Sequence, residues 1–222
     1  MRNRGLLIIG IGAIAASLLL AVGGIGAGRM TGWSFGAPGG MMGRAFGGGS
    51  GDIGMDRAVS IAQDTAASYS GSSLAADEVI EFSENYYASI RETGTGIGAF
   101  EILIDRASGN VIREPGPDMM WNAKYSAMRG GMMGTFGATS SRPMAVTTQQ
   151  AQDIAQRWLD GNRAGASAKA PDSFYGFYTV DFEKAGQLVG MVSVNGYTGQ
   201  VWYHSWHGTF IQVRDLGAGG AP

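Results

Sequence analysis

The sequence predicts an α+β fold of two tandem units, each a single helix packed on a three-stranded antiparallel sheet, preceded by one transmembrane helix. Three observations predict it. The N-terminus is an uncharged apolar run, two glycine-rich stretches separate segments of ordinary globular composition, and those two segments repeat one pattern of helix and strands. An amphipathic helix needs an apolar surface to cover, and a sheet with one apolar face supplies it.

The N-terminal segment predicts a membrane anchor. Arg2 and Arg4 precede residues 5–28, which carry no charged side chain, and about 20 apolar residues span a bilayer core. Positive charge before the run favours a cytoplasmic N-terminus. We therefore expect a single-pass protein of the cell membrane with its domains on the extracytoplasmic side. A cleaved signal peptide, and hence secretion, is the alternative.

Glycine divides the remainder of the chain. It contributes 38 of 222 residues and is dense in residues 29–54 and 129–143, which lack a hydrophobic period. These stretches predict a flexible tether and an interdomain linker. The predicted units are residues 55–128 and 144–215, and residues 216–222 form a flexible tail.

Both units open with a helical pattern. Ile-Ala-Gln occurs at 61–63 in the first unit and at 154–156 in the second, within alanines and isoleucines at helical spacing. Asp56 and either Thr147 or Thr148 are predicted N-caps, because a short side-chain oxygen can accept from the first free amides.

After each helix the apolar period shortens toward two, which predicts strands. The predicted strands are residues 79–91, 99–104 and 111–112 in the first unit, and 174–182, 188–194 and 201–203 in the second. The turns before the last strands match, with Gly109 and Gly199 at the position that needs a positive φ.

The helix, the strands and this turn together resemble the PepSY domain. The pattern Asp/Asn-x-x-Ser/Thr-Gly-x-Val is present twice, as Asp105, Ser108, Gly109 and Val111 and as Asn195, Thr198, Gly199 and Val201. PepSY domains occur in protease propeptides and in many exported or membrane-anchored bacterial proteins. The resemblance implies an extracytoplasmic interaction or inhibitory module that is not a catalyst.

Composition excludes several kinds of site. The chain has no cysteine, so disulfides, thiolate metal sites and cysteine nucleophiles are excluded. Its 16 basic and 18 acidic residues argue against a nucleic-acid partner. Glu78, Glu81 and Glu84 predict a solvated face rather than paired catalytic carboxylates. We find no nucleophile–base arrangement and predict that the chain is not an enzyme.

His204 and His207 are candidate metal ligands. They lie three apart where a strand ends, so they converge only if the chain turns between them, and they would need a distant third ligand. Packing with the aromatic residues Trp202, Tyr203 and Trp206 is the alternative.

Two methionine pairs are candidate copper ligands. Met41–Met42 and Met132–Met133 lie in Gly-Gly-Met-Met-Gly sequences, and thioethers ligate Cu(I) without cysteine. Loose apolar docking on a partner or a membrane is the alternative.

Residues 114–125 are the least repeat-like part of the two units. Pro115 and Pro117 predict a rigid extension, which we interpret as a strap between the units or as a partner-binding ridge. The candidate partner-binding residues are Met119, Met120, Trp121, Tyr125, Trp202 and Trp206.

The predicted function is a non-enzymatic, membrane-anchored, extracytoplasmic interaction module that needs no cofactor. It would serve as an accessory subunit of a membrane protein assembly or as a protease-modulating protein. The alternative is a copper- or metal-handling protein that uses the methionine pairs and the histidine segment.

Overall fold

One helix and four antiparallel strands form the first half of the fold. The computed structural model describes residues 51–126 and 143–217. Its first elements are α1 (Met55–Ala67), β1 (Leu74–Phe82), β2 (Asn85–Glu92), β3 (Gly98–Asp105) and β4 (Val111–Arg113). The strands pair in chain order. Buried Ala58, Ala62 and Ala66 line α1, and their small side chains let it lie close to the sheet.

The second half repeats this plan with a broken first strand. The short helix α2 (Pro117–Trp121) lies between the halves. The second half contains α3 (Thr148–Asn162), β5 (Ala166–Ala168), β6 (Asp172–Ser173), β7 (Phe177–Lys184), β8 (Gln187–Asn195) and β9 (Val201–Tyr203). Both β5 and β6 pair with β7, which pairs with β8 and through it with β9. Pro171 lies between β5 and β6 and cannot donate to a strand ladder.

The last strand crosses from the second half to the first sheet. β10 (Phe210–Asp215) pairs antiparallel with β1, which gives the order β10-β1-β2-β3-β4. Val213 lies opposite Ile80 in this ladder. The C-terminal end of the described chain is therefore part of the N-terminal sheet.

The two sheets pack face to face. Ile80, Phe82, Tyr87 and Leu103 of the first sheet form one buried cluster with Met191 of the second. α1 covers the opposite face of the first sheet and α3 covers that of the second. The layers therefore run α1, first sheet, second sheet, α3, with two sheet faces buried between them.

The predicted mixed fold with antiparallel sheets is confirmed, but three strands per unit is wrong. Residues 79–91 are two strands, β1 and β2, joined at Ser83 and Glu84. The amides of Ser83 and Glu84 donate to the carbonyls of Thr209 and His207, at 2.8 and 3.1 Å. A distant segment holds this turn, so the local sequence carries no glycine or proline to mark it.

The predicted helix N-caps and turn glycines agree with the structure except at Asp56. Thr147 caps α3 in a capping box with Gln150, as predicted. α1 begins at Met55 after Gly54, so the predicted Asp56 cap is wrong and its carboxylate lies in the first turn. Gly109 and Gly199 have φ values of 74° and 72°, as the matched turns require.

No helix within residues 51–126 or 143–217 combines the length and apolar character needed to cross a bilayer. The predicted anchor, residues 5–28, lies outside the described residues, and so do most of the tether and most of the linker. The predicted domain boundaries therefore stay predictions.

Candidate functional site

Residues 114–125 connect the two halves. The side-chain amide of Asn122 donates to the carbonyl of Ala99 at 2.7 Å, and the amide of Ala123 donates to the carbonyl of Tyr175 at 2.7 Å. The ring of Trp121 packs edge-on against Trp202, with 6.1 Å between centroids. The segment thus has the contacts expected of the predicted strap.

Most candidate partner-binding residues are engaged within the fold. Met120 is 58% exposed, whereas the others are half-buried. The Tyr125 hydroxyl donates to Glu92 at 2.5 Å, and the Trp206 indole donates to Glu114 at 3.0 Å. A partner-binding role for these six residues stays a prediction.

Glu114, His204 and His207 meet in the layer between the sheets. Glu114 follows β4 and His204 follows β9, and the chain then turns so that His207 returns to the same place. His204 Nδ1 lies 3.2 Å and His207 Nε2 3.0 Å from Glu114 Oε1. None of the three residues is more than 2% exposed. The two histidines converge as a metal site requires, and Glu114 is the distant third residue.

The far nitrogen of each imidazole is held by a neighbour. His207 Nδ1 lies 3.0 Å from Oδ1 of Asn85, whose side-chain amide donates to the carbonyl of Trp206 at 2.8 Å. That second bond sets the Asn85 orientation, so Oδ1 accepts the Nδ1 proton of His207. Nε2 of the neutral ring then carries a lone pair toward Glu114. His204 Nε2 lies 2.9 Å from the Ser193 hydroxyl.

Glu101 adds a second carboxyl group beside Glu114. Its Oε1 accepts from the Tyr87 hydroxyl at 2.8 Å and from the Thr179 hydroxyl at 2.5 Å. Burial, followed by the charge of Glu114, raises the pKa of Glu101 well above its usual range. Burial would also raise the pKa of Glu114, but the two histidines outweigh it and lower that pKa. These opposite shifts favour the neutral form of Glu101 and the ionised form of Glu114.

We call Glu101, Glu114, His204 and His207 the His–Glu cluster. Oε2 of each glutamate, Nδ1 of His204 and Nε2 of His207 are buried without a hydrogen-bond partner in the described part of the chain. Buried polar atoms are nearly always hydrogen-bonded, so four such atoms in one cluster form an arrangement that could hold a cation. Burial also lowers the pKa of His207, which favours its neutral, ligand-competent form.

A second acidic group lies elsewhere between the sheets. Burial, followed by the charges of Asp181 and Asp172, raises the pKa of Glu78 to about 8. Burial likewise raises the pKa of Asp181 to about 7. A nearby cleft of about 220 Å³ is lined by Arg91 and Asp172, but ligand pockets are usually larger, at about 300–1,000 Å³.

The outer edge of β10 is the third feature with a potential function. Among the described residues β10 pairs with β1 on one side and with no strand on the other. Ile211 and Val213 are 49% and 51% exposed. Unprotected strand edges with apolar side chains are templates for a further strand.

Several site expectations differ from the structure. Glu81 is buried rather than solvated, because its carboxylate accepts from Arg106 at 2.8 Å and from Gln212 at 2.6 Å. Met41, Met42, Met132 and Met133 lie outside the described residues. Sequence reasoning missed Glu101 and Glu114 as members of the cluster. The repeat carried a signal for Glu114, because a shift of 90 residues relates Gly109 to Gly199 and also Glu114 to His204.

Comparison with known proteins identifies no family. No family model and no curated protein matches the chain. Among solved structures, the chain is similar to the Bacillus megaterium YpeB C-terminal domain, with 11% sequence identity and a TM-score of 0.25. The match covers 68% of this chain and 62% of that domain, which is less than two thirds of its length. A likeness at this level carries no argument about activity or partners.

Proposed function

We propose that this chain is a non-enzymatic, extracytoplasmic module, anchored in the cell membrane by residues 5–28, that binds a protein partner. The charge pattern before the apolar run and the twofold resemblance to PepSY domains support the location and the kind of module. The burial of the His–Glu cluster supports a role other than catalysis, because a substrate has no access to side chains that are at most 2% exposed.

The open edge of β10 is the observation that carries the binding role. Within residues 51–126 and 143–217, no strand pairs with the outer side of the six-residue strand β10, and Ile211 and Val213 are exposed along it. Strand addition uses these two features, since main-chain hydrogen bonds supply affinity and alternate side chains supply specificity. The fitting occupant is an extended segment of a membrane-protein partner with apolar residues at alternate positions.

This role makes a direct prediction for co-purification. We expect the full-length chain, extracted in mild detergent, to retain a stoichiometric partner. A photo-crosslinking residue at position 211 should give one adduct of defined mass with that partner. Replacing both Ile211 and Val213 with lysine should lower the retained partner at least about tenfold, because charged side chains block edge pairing.

The matched control is Val111→Lys, on β4 at the other end of the same sheet. Val111 is 38% exposed, so its replacement should leave both partner and melting temperature unchanged. A Met120→Lys variant tests whether the partner docks on the strap instead of the β10 edge. Strand addition at β10 predicts that this variant retains the partner. A lone monodisperse monomer from wild-type membranes, or full retention by the double lysine variant, contradicts strand addition at β10.

Metal handling is the second candidate function, favoured by the convergence of both histidines on Glu114. The metal that the sequence predicts is copper, captured by the methionine pairs. Replacing Met41, Met42, Met132 and Met133 with leucine should abolish Cu(I) uptake by the purified chain. Absence of uptake by the unmutated chain contradicts the copper hypothesis.

A further inference from the structure

We propose that Glu114, His204 and His207 form a binding site for one divalent transition-metal ion, with zinc as the best-matched metal. The site goes beyond partner binding at β10 and does not depend on it. Glu114 comes from the first half of the fold and the histidines from the second. The ion would therefore cross-link the two halves within the buried layer.

The distances between the ligand atoms match a zinc site. Zinc binds imidazole nitrogen and carboxylate oxygen at about 2.0–2.1 Å in tetrahedral geometry, which separates neighbouring ligand atoms by about 3.3–3.4 Å. His204 Nδ1 and His207 Nε2 lie 3.2 and 3.0 Å from Glu114 Oε1. All three residues offer ligand atoms within 4.8 Å of one another.

These short separations suit two ligands of one ion. Both nitrogens lie within 3.2 Å of Glu114 Oε1, and neither contact has the alignment of a strong hydrogen bond. Asn85 accepts the Nδ1 proton of His207, so Nε2 of the neutral ring directs a lone pair at a carboxylate. Two lone pairs that face each other in a buried layer repel unless a proton or a metal ion lies between them, and the separation here suits a metal ion.

The surroundings of the histidines are those of metal ligands. Such histidines almost always bond through the far ring nitrogen to a second group, which fixes the tautomer and the ring orientation. Asn85 does this for His207 and Ser193 does it for His204. Stacking of His207 on Phe82, with 4.5 Å between ring centroids, holds the ring further.

Donor type and charge favour a divalent ion. Two imidazoles and a carboxylate form a borderline donor set that suits zinc, whereas Cu(I) prefers sulfur. Glu101 lies next to Glu114, so a second carboxyl group adds to the acidic character of this buried site. A divalent ion suits an acidic site of this kind, and a water molecule would complete its tetrahedral coordination.

The composition of the chain limits the side chains that could bind zinc through nitrogen or sulfur. It has no cysteine and only two histidines, so any imidazole-bound zinc must use His204 or His207. We would purify the full-length chain in detergent with a tag that lacks histidine, and strip it with a chelator during unfolding. After refolding with zinc and gel filtration, we expect one zinc per chain by mass spectrometry and a melting temperature that rises with zinc concentration.

Two conservative variants test the ligands. Glu114→Gln keeps a side-chain oxygen for the Trp206 indole but removes the charge, and His207→Gln removes one imidazole. Each should weaken zinc binding at least about tenfold. Replacing Met41, Met42, Met132 and Met133 with leucine is the matched control and should leave zinc stoichiometry and affinity unchanged. Equal zinc affinity in wild type and both ligand variants would overturn the proposal.

If a ligand variant does not fold, X-ray absorption at the zinc edge of the wild-type protein identifies the zinc ligands instead. Two imidazole nitrogens with one or two oxygens in the coordination shell support the site. A shell of oxygen alone, or one containing sulfur, contradicts it. Wild-type chain that stays free of metal after refolding in zinc also contradicts it.

Discussion

At the scale of single residues, burial decides what the ionisable groups do. Glu101 and Glu114 are fully buried in the same layer, and two neighbouring carboxylates cannot both ionise without a compensating charge. A proton on Glu101 or a bound cation therefore balances the negative charge of the His–Glu cluster. Neither can be predicted from the sequence around any one of its residues.

Glu78 carries a prediction for stability against pH. Burial and nearby acidic residues raise its pKa from 4.5 in the unfolded chain to about 8 in the folded one. Between these values the folded state binds more protons than the unfolded state, so stability falls as pH rises. Glu78→Gln should stabilise the fold by about 1–2 kcal/mol at pH 8 and should have little effect near pH 4.

Chemical denaturation at several pH values measures this difference. Glu84→Gln, at an exposed position in the adjoining turn, is the control and should leave the free energy of unfolding unchanged at every pH. A Glu78→Gln variant with the same pH profile as wild type shows that Glu78 titrates normally.

At the scale of elements, close backbone approaches join the strap to the second half. Gly176 has a φ of 100°, and a Cβ built there would lie 2.3 Å from the carbonyl oxygen of Trp121. Gly186 also has a positive φ, 77°, but its Cβ would meet no atom within 4 Å. Substituting each of the two glycines therefore distinguishes the cost of the backbone conformation from the cost of displacing the strap.

Gly176→Ala should destabilise the protein by about 3 kcal/mol, because backbone atoms of the strap must move and the residue is strained. Gly186→Ala should cost only about 1 kcal/mol, from the left-handed conformation alone. Thermal or denaturant unfolding of both variants measures the difference. If both variants lose the same stability, the strap can move away from position 176 without destabilising the protein.

The helix and hairpin elements show how far local pattern reaches. Thr147, Gly109 and Gly199 were predictable because a cap or a positive φ is a property of one residue and its nearest neighbours. The turn at Ser83 and Glu84 was not, because its amides bond to Thr209 and His207. A turn held by a distant segment leaves no mark in its own sequence.

At the scale of the whole molecule, two connections make the halves depend on each other. β10 extends the first sheet from the second half, and the buried cluster of Ile80, Phe82, Leu103 and Met191 lies between the sheets. Neither sheet can bury both faces alone. We therefore expect the described residues to unfold in a single transition.

Phe82→Ala tests this coupling. The side chain is fully buried between the sheets, and its removal should cost about 3–5 kcal/mol. Tryptophan fluorescence, which includes Trp158 on α3, and far-ultraviolet circular dichroism should shift together to the same lower midpoint. The exposed Val111→Ala change should shift neither, and a fluorescence transition that stays at the wild-type midpoint would refute coupling between the halves.

The amino-acid sequence by itself determined the repeat, the class of each unit, the matched turns and the absence of thiolate chemistry, because periodicity, glycine placement and composition are local properties. The tertiary structure alone decided that β10 joins the first sheet, that the sheets bury a polar layer, and that Glu114 meets His204 and His207. The two glutamates of the cluster are separated from its histidines by about half the chain, and such a meeting depends on how two sheets pack. That packing is set by the whole apolar surface of both halves.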